Sequence, residues 1–349
     1  MSDTQTDLLT DLLRQVSRSF YLTLRVLPGA IRPQIGLAYL LARATDTVAD
    51  TEIISVAQRL EALRHLREAI QGTSEVLPPR ALGELARQQG LPAEKVLLER
   101  IGEALVLLRQ AAPTDQRHIR EVLGIITSGQ ELDLRRFAGA HSQSIVALAN
   151  DAELDDYTYR VAGCVGEFWT RMCRAHLFAN ATLDDATLLR QGVRFGQGLQ
   201  LVNILRDLPR DLRQGRCYLP AEALRTEGLT ATDLLAPQNE PRLRPLYNIY
   251  LERAQAHLAA GWDYTLMLPR GSARLRLACA WPILIGVDTL ARLRHGNVLD
   301  PSQRLKVTRA EVRRVVFQTL WRYPRRGAWQ ELFQEHAHAG QTPSPGKDR

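Results

Sequence analysis

Apolar positions recur at helical spacing along nearly the whole chain. Leucines repeat in this way over residues 5–16. Residues 54–71 (ISVAQRLEALRHLREAIQ) predict an amphipathic helix that stops at Gly72. Two more helices are predicted at 92–110 and 115–137, separated at Pro113, and another at 310–320. Pro28 and Pro33 punctuate the approach to a helix through 38–51. Residues 74–79 and 237–245 (PQNEPRLRP) read as loops, and 340–349 as a polar, disordered tail. Alternating strand patterns joined by Asn-Gly turns are missing. The pattern predicts an all-α protein: one domain over 1–339, a helical bundle whose functional side chains project into a central cavity.

Two helices break their own apolar pattern. In 198–220 (GLQLVNILRDLPRDLRQGRCYLP), Asn203, Asp207 and Asp211 stand four residues apart among Leu199, Leu201, Val202, Ile204 and Leu205. Positions i, i+4 and i+8 lie on nearly one helix face. A carboxylate in core-like surroundings is costly unless it is paired or bound to a cation. One reading is a solvated face on which Arg206, Arg210 and Arg213 serve as ion-pair partners. A second stretch, 38–51 (AYLLARATDTVADT), favours the other reading. Asp46 and Asp50 are again one turn apart, flanked by Leu37, Tyr39, Leu40, Leu41 and Val48. Two such pairs can face each other across a bundle, where like charges repel unless cations lie between them. All-oxygen ligands suit Mg²⁺, which takes a few carboxylates together with substrate phosphates. The two motifs therefore point to a diphosphate substrate.

Bulk properties narrow the classes. The chain has 349 residues, 45% of them hydrophobic and 24% charged, and a net charge of +7. The charge suits an anionic substrate or membrane surface, and no nucleic-acid motif accompanies it, so no nucleic-acid partner is expected. The four cysteines, Cys164, Cys173, Cys217 and Cys279, lack CxxC spacing and are expected to be reduced packing residues. The start, MSDTQTDLL, has no basic segment of a signal peptide. The longest uncharged apolar run, 277–287, has 11 residues and contains Pro282, too short for a membrane span of about 20. The expected protein is a cytoplasmic monomer, peripheral to the inner membrane at most.

Smaller clusters leave alternatives open. In VSRSFYL, Ser17, Arg18 and Ser19 could bind phosphate oxygens or cap a helix. In 156–167, Gly163 and Gly166 permit close backbone approach to a helix or a ligand, and Tyr157 and Tyr159 suit the core or a rim. In GQELDLRR (129–136), Glu131 and Asp133 lie near Arg135 and Arg136 and read as a solvated ion-pair cluster. KVTR, with Lys306 and Arg309, is a phosphate clamp or plain surface charge.

From Ser17 to about Phe317 the chain resembles the squalene/phytoene synthase family, which joins two prenyl diphosphates head to head. The resemblance is carried by SRSF, by Tyr39 and Arg43 ahead of DTVAD, by Tyr157 in YTYRVAG, and by QLVNILRDLPRD. It implies a single-domain isoprenoid-synthase fold with Mg²⁺ held by Asp46, Asp50, Asn203, Asp207 and Asp211. Substrate contacts are implied at Ser17, Arg18, Ser19 and Phe20, at Tyr39 and Arg43, and at Gln200, Asn203 and Arg206. Tyr157 is implied in proton transfer near the leaving diphosphate.

DTVAD, WPILIGVDTLARL and RLKVTR resemble the squalene-forming branch. That implies farnesyl diphosphate as substrate and NADPH as reductant, with Lys306 and Arg309 at the cofactor. Branches that stop at presqualene diphosphate, or that make phytoene or dehydrosqualene, need no reductant. A non-catalytic scaffold of the same fold is the alternative of another class. One departure stands out: Pro209, inside the second motif, is expected to kink its helix and displace Asp211.

Overall fold

The computed structural model describes residues 8–17, 21–74, 79–303 and 305–339. Helices dominate, as the apolar spacing predicts. The described strands are β1 (Val146–Ala147) and β2 (Arg216–Cys217), paired in parallel, with Val146 opposite Arg216. The fold divides into two compact units: residues up to Ala138 with Glu167–Thr182, and Gly139–Gly166 with the chain from Leu183 onward.

In the first unit, a π-helical turn (Leu8–Leu12) runs into α1 (Leu13–Val16), followed by α2 (Tyr21–Val26) and α3 (Arg32–Asp50). Then come α4 (Val56–Gln71), α5 (Pro79–Gln88), α6 (Pro92–Glu99), α7 (Ile101–Gln110) and α8 (Pro113–Arg136). α3 packs against α4, α7 and α8. Its inner stripe of Leu40, Leu41, Ala44 and Val48 is fully buried, as are Leu63 and Leu66 of α4 and Ile119 and Leu123 of α8. Burying a leucine side chain contributes roughly 1.5–3 kcal/mol, so this stripe fixes where Asp46 stands. α4 is closed at both ends. Ser55 and Gln58 form a capping box, and Gly72 takes the left-handed conformation at φ 77°. The helix expected at 92–110 is instead two, divided at Arg100.

The second unit contains α9 (Asp151–Thr158), a π-helical turn (Tyr159–Gly163) and the start of α10 (Cys164–His176). It continues with α11 (Asp185–Arg213), α12 (Ala221–Thr226), α13 (Glu240–Met267), α14 (Ala273–His295), α15 (Arg309–Arg322) and α16 (Arg326–Ala339). α11 packs along α13 and α14, and α14 also carries α15 and α16. The loop expected at 237–245 is a 3₁₀ turn (Pro237–Asn239) and the first turns of α13. Pro241 falls in the first helical turn, where its missing N–H costs nothing. Pro245, one turn deeper, is carried inside the helix.

Gly166 and Gly196 explain how α11 sits so near the π turn. A Cβ on Gly166 would lie 1.8 Å from the Gly192 carbonyl oxygen, and one on Gly196 would lie 2.1 Å from that of Ala162. Of the two uses left open for Gly166, helix packing is the one observed. All four cysteines are buried thiols outside any disulfide. Among the described residues, no helix is long and apolar enough to cross a membrane.

Candidate active site

α3 presents Arg43, Asp46 and Asp50 over two turns. Asp46 accepts a 2.5 Å hydrogen bond from Gln130 Nε2 on α8. Arg43 is ion-paired with Glu94 of α6 and adds a weaker attraction to Asp46. Burial, with the like charge of Asp50 next, pushes the Asp46 carboxyl up to about 7, against the opposing pull of Arg43 and Gln130. An acid so perturbed by burial and a like charge is suited to a cation. Tyr39 donates to the Val16 carbonyl at 3.5 Å. Ser17 is buried, and its Oγ has no hydrogen-bond partner. Arg18, Ser19 and Phe20 lie outside the described residues.

Gln130 belongs to the stretch expected to be a solvated ion-pair cluster, and that reading is corrected. Gln130 and Glu131 are both buried. Helical period places them on the inner face of α8 with Thr127 and Leu134. Glu131 is paired with Arg67 at 3.0 Å and with Arg135 at 3.5 Å.

α11 presents Gln200, Asn203, Asp207 and Asp211 along one face. Asn203 Nδ2 lies 3.5 Å from Gln200 Oε1. Arg206 clamps Asp207 with two bonds, Nε to Oδ1 at 2.9 Å and Nη2 to Oδ2 at 2.6 Å. Burial opposes ionisation of Asp207, but the Arg206 clamp and the charges of Arg210 and Lys306 hold its pKa below the ordinary value. Asp211 is buried, with Arg210 at 3.4 Å. Its carboxyl is pushed up to about 6, mainly by burial and then by the charge of Asp207, against the pull of Arg210.

The proline that should disturb this face is accommodated. α11 runs through Pro209 to Arg213. Pro209 cannot donate to the Leu205 carbonyl four residues back. The phenol of Tyr247, buried on α13, donates to that carbonyl at 2.9 Å instead. Burial raises the Tyr247 pKa, so the hydroxyl keeps its proton.

Tyr157, on α9, is half-buried and stacks on Tyr218, with ring centroids 4.6 Å apart. Lys306 is exposed, yet its charge reaches Asp207. Arg309 is exposed and opens α15, which is capped by the Thr308–Glu311 box. Residue-by-residue reading missed Gln130, Glu94, Tyr218 and Tyr247. Only burial periodicity could have flagged Gln130.

The donor set fits Mg²⁺: each motif supplies two carboxylates, and that ion is commonly completed by substrate phosphates. Among the described residues, no three His, Cys, Asp or Glu side chains form a ready metal cage.

Paired carboxylates on long buried helices, in a chain almost without strands, mark an all-α protein with the squalene synthase fold. The solved structure of TcSQS with the ligand BPH1237 superposes with a TM-score of 0.79, covering 99% of this chain and 94% of that one at 21% identity. The squalene/phytoene synthase model matches residues 13–311, and the chain belongs to that family. The family comprises prenyltransferase-type transferases. A presqualene diphosphate synthase from Rhodopseudomonas palustris is 30% identical over 245 residues, 69% of this chain and 72% of that one. Squalene synthase ERG9 of Saccharomyces cerevisiae is 27% identical over 294 residues, 82% of this chain. The chain spans 63% of the yeast protein. It spans 33% of a Blakeslea trispora bifunctional lycopene cyclase/phytoene synthase, which is 31% identical over 222 residues.

Proposed function

We propose that the protein condenses two farnesyl diphosphates head to head into presqualene diphosphate and reduces that product to squalene with NADPH. The observation that carries the reading is the pair of carboxylates one turn apart on each of α3 and α11, in a chain of this family. Asp46 and Asp50, and Asp207 and Asp211 with Asn203, would hold Mg²⁺. Bound there, the ion supplies Lewis acidity to a diphosphate leaving group.

Around it, the chain's own groups have separable tasks. Gln130 fixes the rotamer of Asp46, and Arg206 keeps Asp207 ionised. Cleavage of one substrate's C–O bond releases diphosphate and leaves an allylic cation. The double bond of the second substrate attacks it, and loss of one proton closes the cyclopropane. We assign the relay of that proton to Tyr157, because a phenol transfers protons without needing to be a strong base. Apolar helix faces exclude the water that would quench the cation. In the second half-reaction, presqualene diphosphate loses its diphosphate, rearranges and accepts one hydride. NADPH supplies the hydride, and Lys306 and Arg309 would bind its phosphates.

A second reading ends at presqualene diphosphate, and its support is the Rhodopseudomonas relative. Products formed from farnesyl diphosphate, with and without NADPH, separate the two. Squalene that appears only with NADPH upholds the first. Presqualene diphosphate that persists with NADPH selects the second. Tyr157→Phe should slow the first half-reaction by roughly 10²-fold, the usual scale of acid–base assistance. A wild-type rate in that variant would leave Tyr157 as a wall of the site.

A further inference from the structure

A charged cavity lies within the second unit, where α13 ends, α14 begins and α15 passes into α16. It has a volume of about 50 Å³, and its lining includes Arg270, Arg276, Tyr323, Arg326 and Trp329. Arg276 is only 4% exposed. Its Nε donates to the Thr265 carbonyl at 3.0 Å, and its guanidinium lies 5.7 Å from the ring centres of both Tyr323 and Trp329. Tyr323 in turn donates to the Arg270 carbonyl at 2.6 Å, which ties the rim to the end of α13. Among the described residues, none of the three arginines has a carboxylate partner. The Trp329 indole N–H is buried and has no acceptor.

The cluster holds positive charge with no carboxylate beside it. A guanidinium cannot shed its charge, and a buried charge is costly unless it is paired. The aromatic faces and a hydrogen bond with the Tyr323 hydroxyl offset part of the cost, but neither neighbour supplies a carboxylate. Burial lowers the Arg276 pKa against the raising pull of the Tyr323 hydroxyl, and the neighbouring Arg270 charge adds to the lowering. Three arginines line one small space, together with a tryptophan whose N–H is unused. Arginine forks match the tetrahedral oxygens of phosphate.

We infer that this cavity is a phosphate-binding site, separate from the aspartate motifs, with Arg276 as its floor and Arg270 and Arg326 as its exposed jaws. The phosphate could be a free ion or a phospholipid headgroup, and α15 shows why both belong in the test. Its outer face carries Phe317, Leu320 and Trp321, which are 66%, 51% and 62% exposed, with the Arg325 guanidinium 5.3 Å from the Trp321 ring centre. An apolar ridge beside arginines suits an anionic bilayer surface.

The test uses the full chain, stripped of divalent metal so that the aspartate motifs do not contribute. Inorganic phosphate is titrated by calorimetry at constant ionic strength. Saturable binding is expected, weakened at least fivefold in Arg270→Gln/Arg326→Gln. Both of those side chains are exposed, so the fold should survive. Trp329→Phe, which keeps the ring packing, should weaken binding less. Co-sedimentation with phosphatidylglycerol vesicles, against phosphatidylcholine vesicles, then names the source. Sedimentation that the double variant loses and that inorganic phosphate competes away assigns the site to a headgroup. Calorimetric binding without such sedimentation assigns it to a free ion. If neither probe binds, or if the double variant binds both as the wild type does, the cavity holds water only and the inference is overturned. None of these readouts depends on the prenyl chemistry proposed above.

Discussion

The two aspartate motifs share a spacing and differ in almost everything around it. On α3, Asp46 is held by a neutral amide, while Arg43, three residues earlier, is ion-paired with Glu94. On α11, Asp207 is clamped by a guanidinium on the adjacent residue. Asp46 is therefore bonded to a group that carries no fixed positive charge. The second motif carries its own countercharge, so a cation bound there competes with Arg206. Position on a helix face gives the ligand; the neighbour decides how readily that ligand accepts a metal.

The largest effects should come from removing a carboxylate on either side of this contrast. Asp46→Asn and Asp207→Asn are each expected to lower turnover by at least ~10²-fold while circular dichroism stays helical, since transition-state charge stabilisation is lost. Comparable loss in both would show that the two motifs are equally needed. Near-normal turnover in either, at ordinary Mg²⁺, removes that motif from the reaction.

Next in size is the basic segment whose charge reaches Asp207. Lys306→Ala with Arg309→Ala should raise the apparent KM for NADPH about tenfold and let presqualene diphosphate accumulate, because a lost ion pair weakens ground and transition states alike. An unchanged NADPH dependence would confine Lys306 to the electrostatics of Asp207.

A smaller change should follow Gln130→Leu. One hydrogen bond contributes about 0.5–1.5 kcal/mol, so the Mg²⁺ concentration for half-maximal rate should rise a few-fold. Arg206→Gln should move it the other way or leave it unchanged, because the competing guanidinium is gone. If both variants behave alike, the contrast between the motifs has no functional content.

The last prediction concerns stability alone. Tyr247→Phe leaves the Leu205 carbonyl buried without a donor, at a cost of about 1–3 kcal/mol read as a lower denaturation midpoint. Pro209→Ala restores the helical N–H, so adding it to Tyr247→Phe should recover most of that loss. Simple additivity of the two changes would mean that the phenol does not serve the proline's carbonyl.

How much of this was legible beforehand divides by range. The helical class and the one-turn spacing of each aspartate pair follow from local periodicity and are present, though the helix expected at 92–110 is divided at Arg100. Local reading failed at 237–245, where three prolines suggested a loop: Pro237 opens a 3₁₀ turn, Pro241 falls in the first helical turn, where a missing N–H costs nothing, and Pro245 is carried inside the helix. It failed at 129–136, where charge suggested solvent although the period of Thr127, Gln130 and Leu134 pointed inward. Gln130 reaching Asp46 across 84 positions, and Tyr247 reaching Leu205 across 42, are pairings no local signal contains.

The glycines at 166 and 196 carry a consequence for change over time. Where two helices meet backbone to backbone, their spacing is not negotiated by side chains, so repacking elsewhere has little leverage on it. Tyr157, one turn before that contact, and Asp207, three turns beyond it along α11, are thereby referred to a common ruler. The apolar lining could drift, or be randomised in the laboratory to admit longer or shorter prenyl chains, while the distance between those two groups is retained. The same ruler has no tolerance of its own: a single methyl at either glycine would reset it.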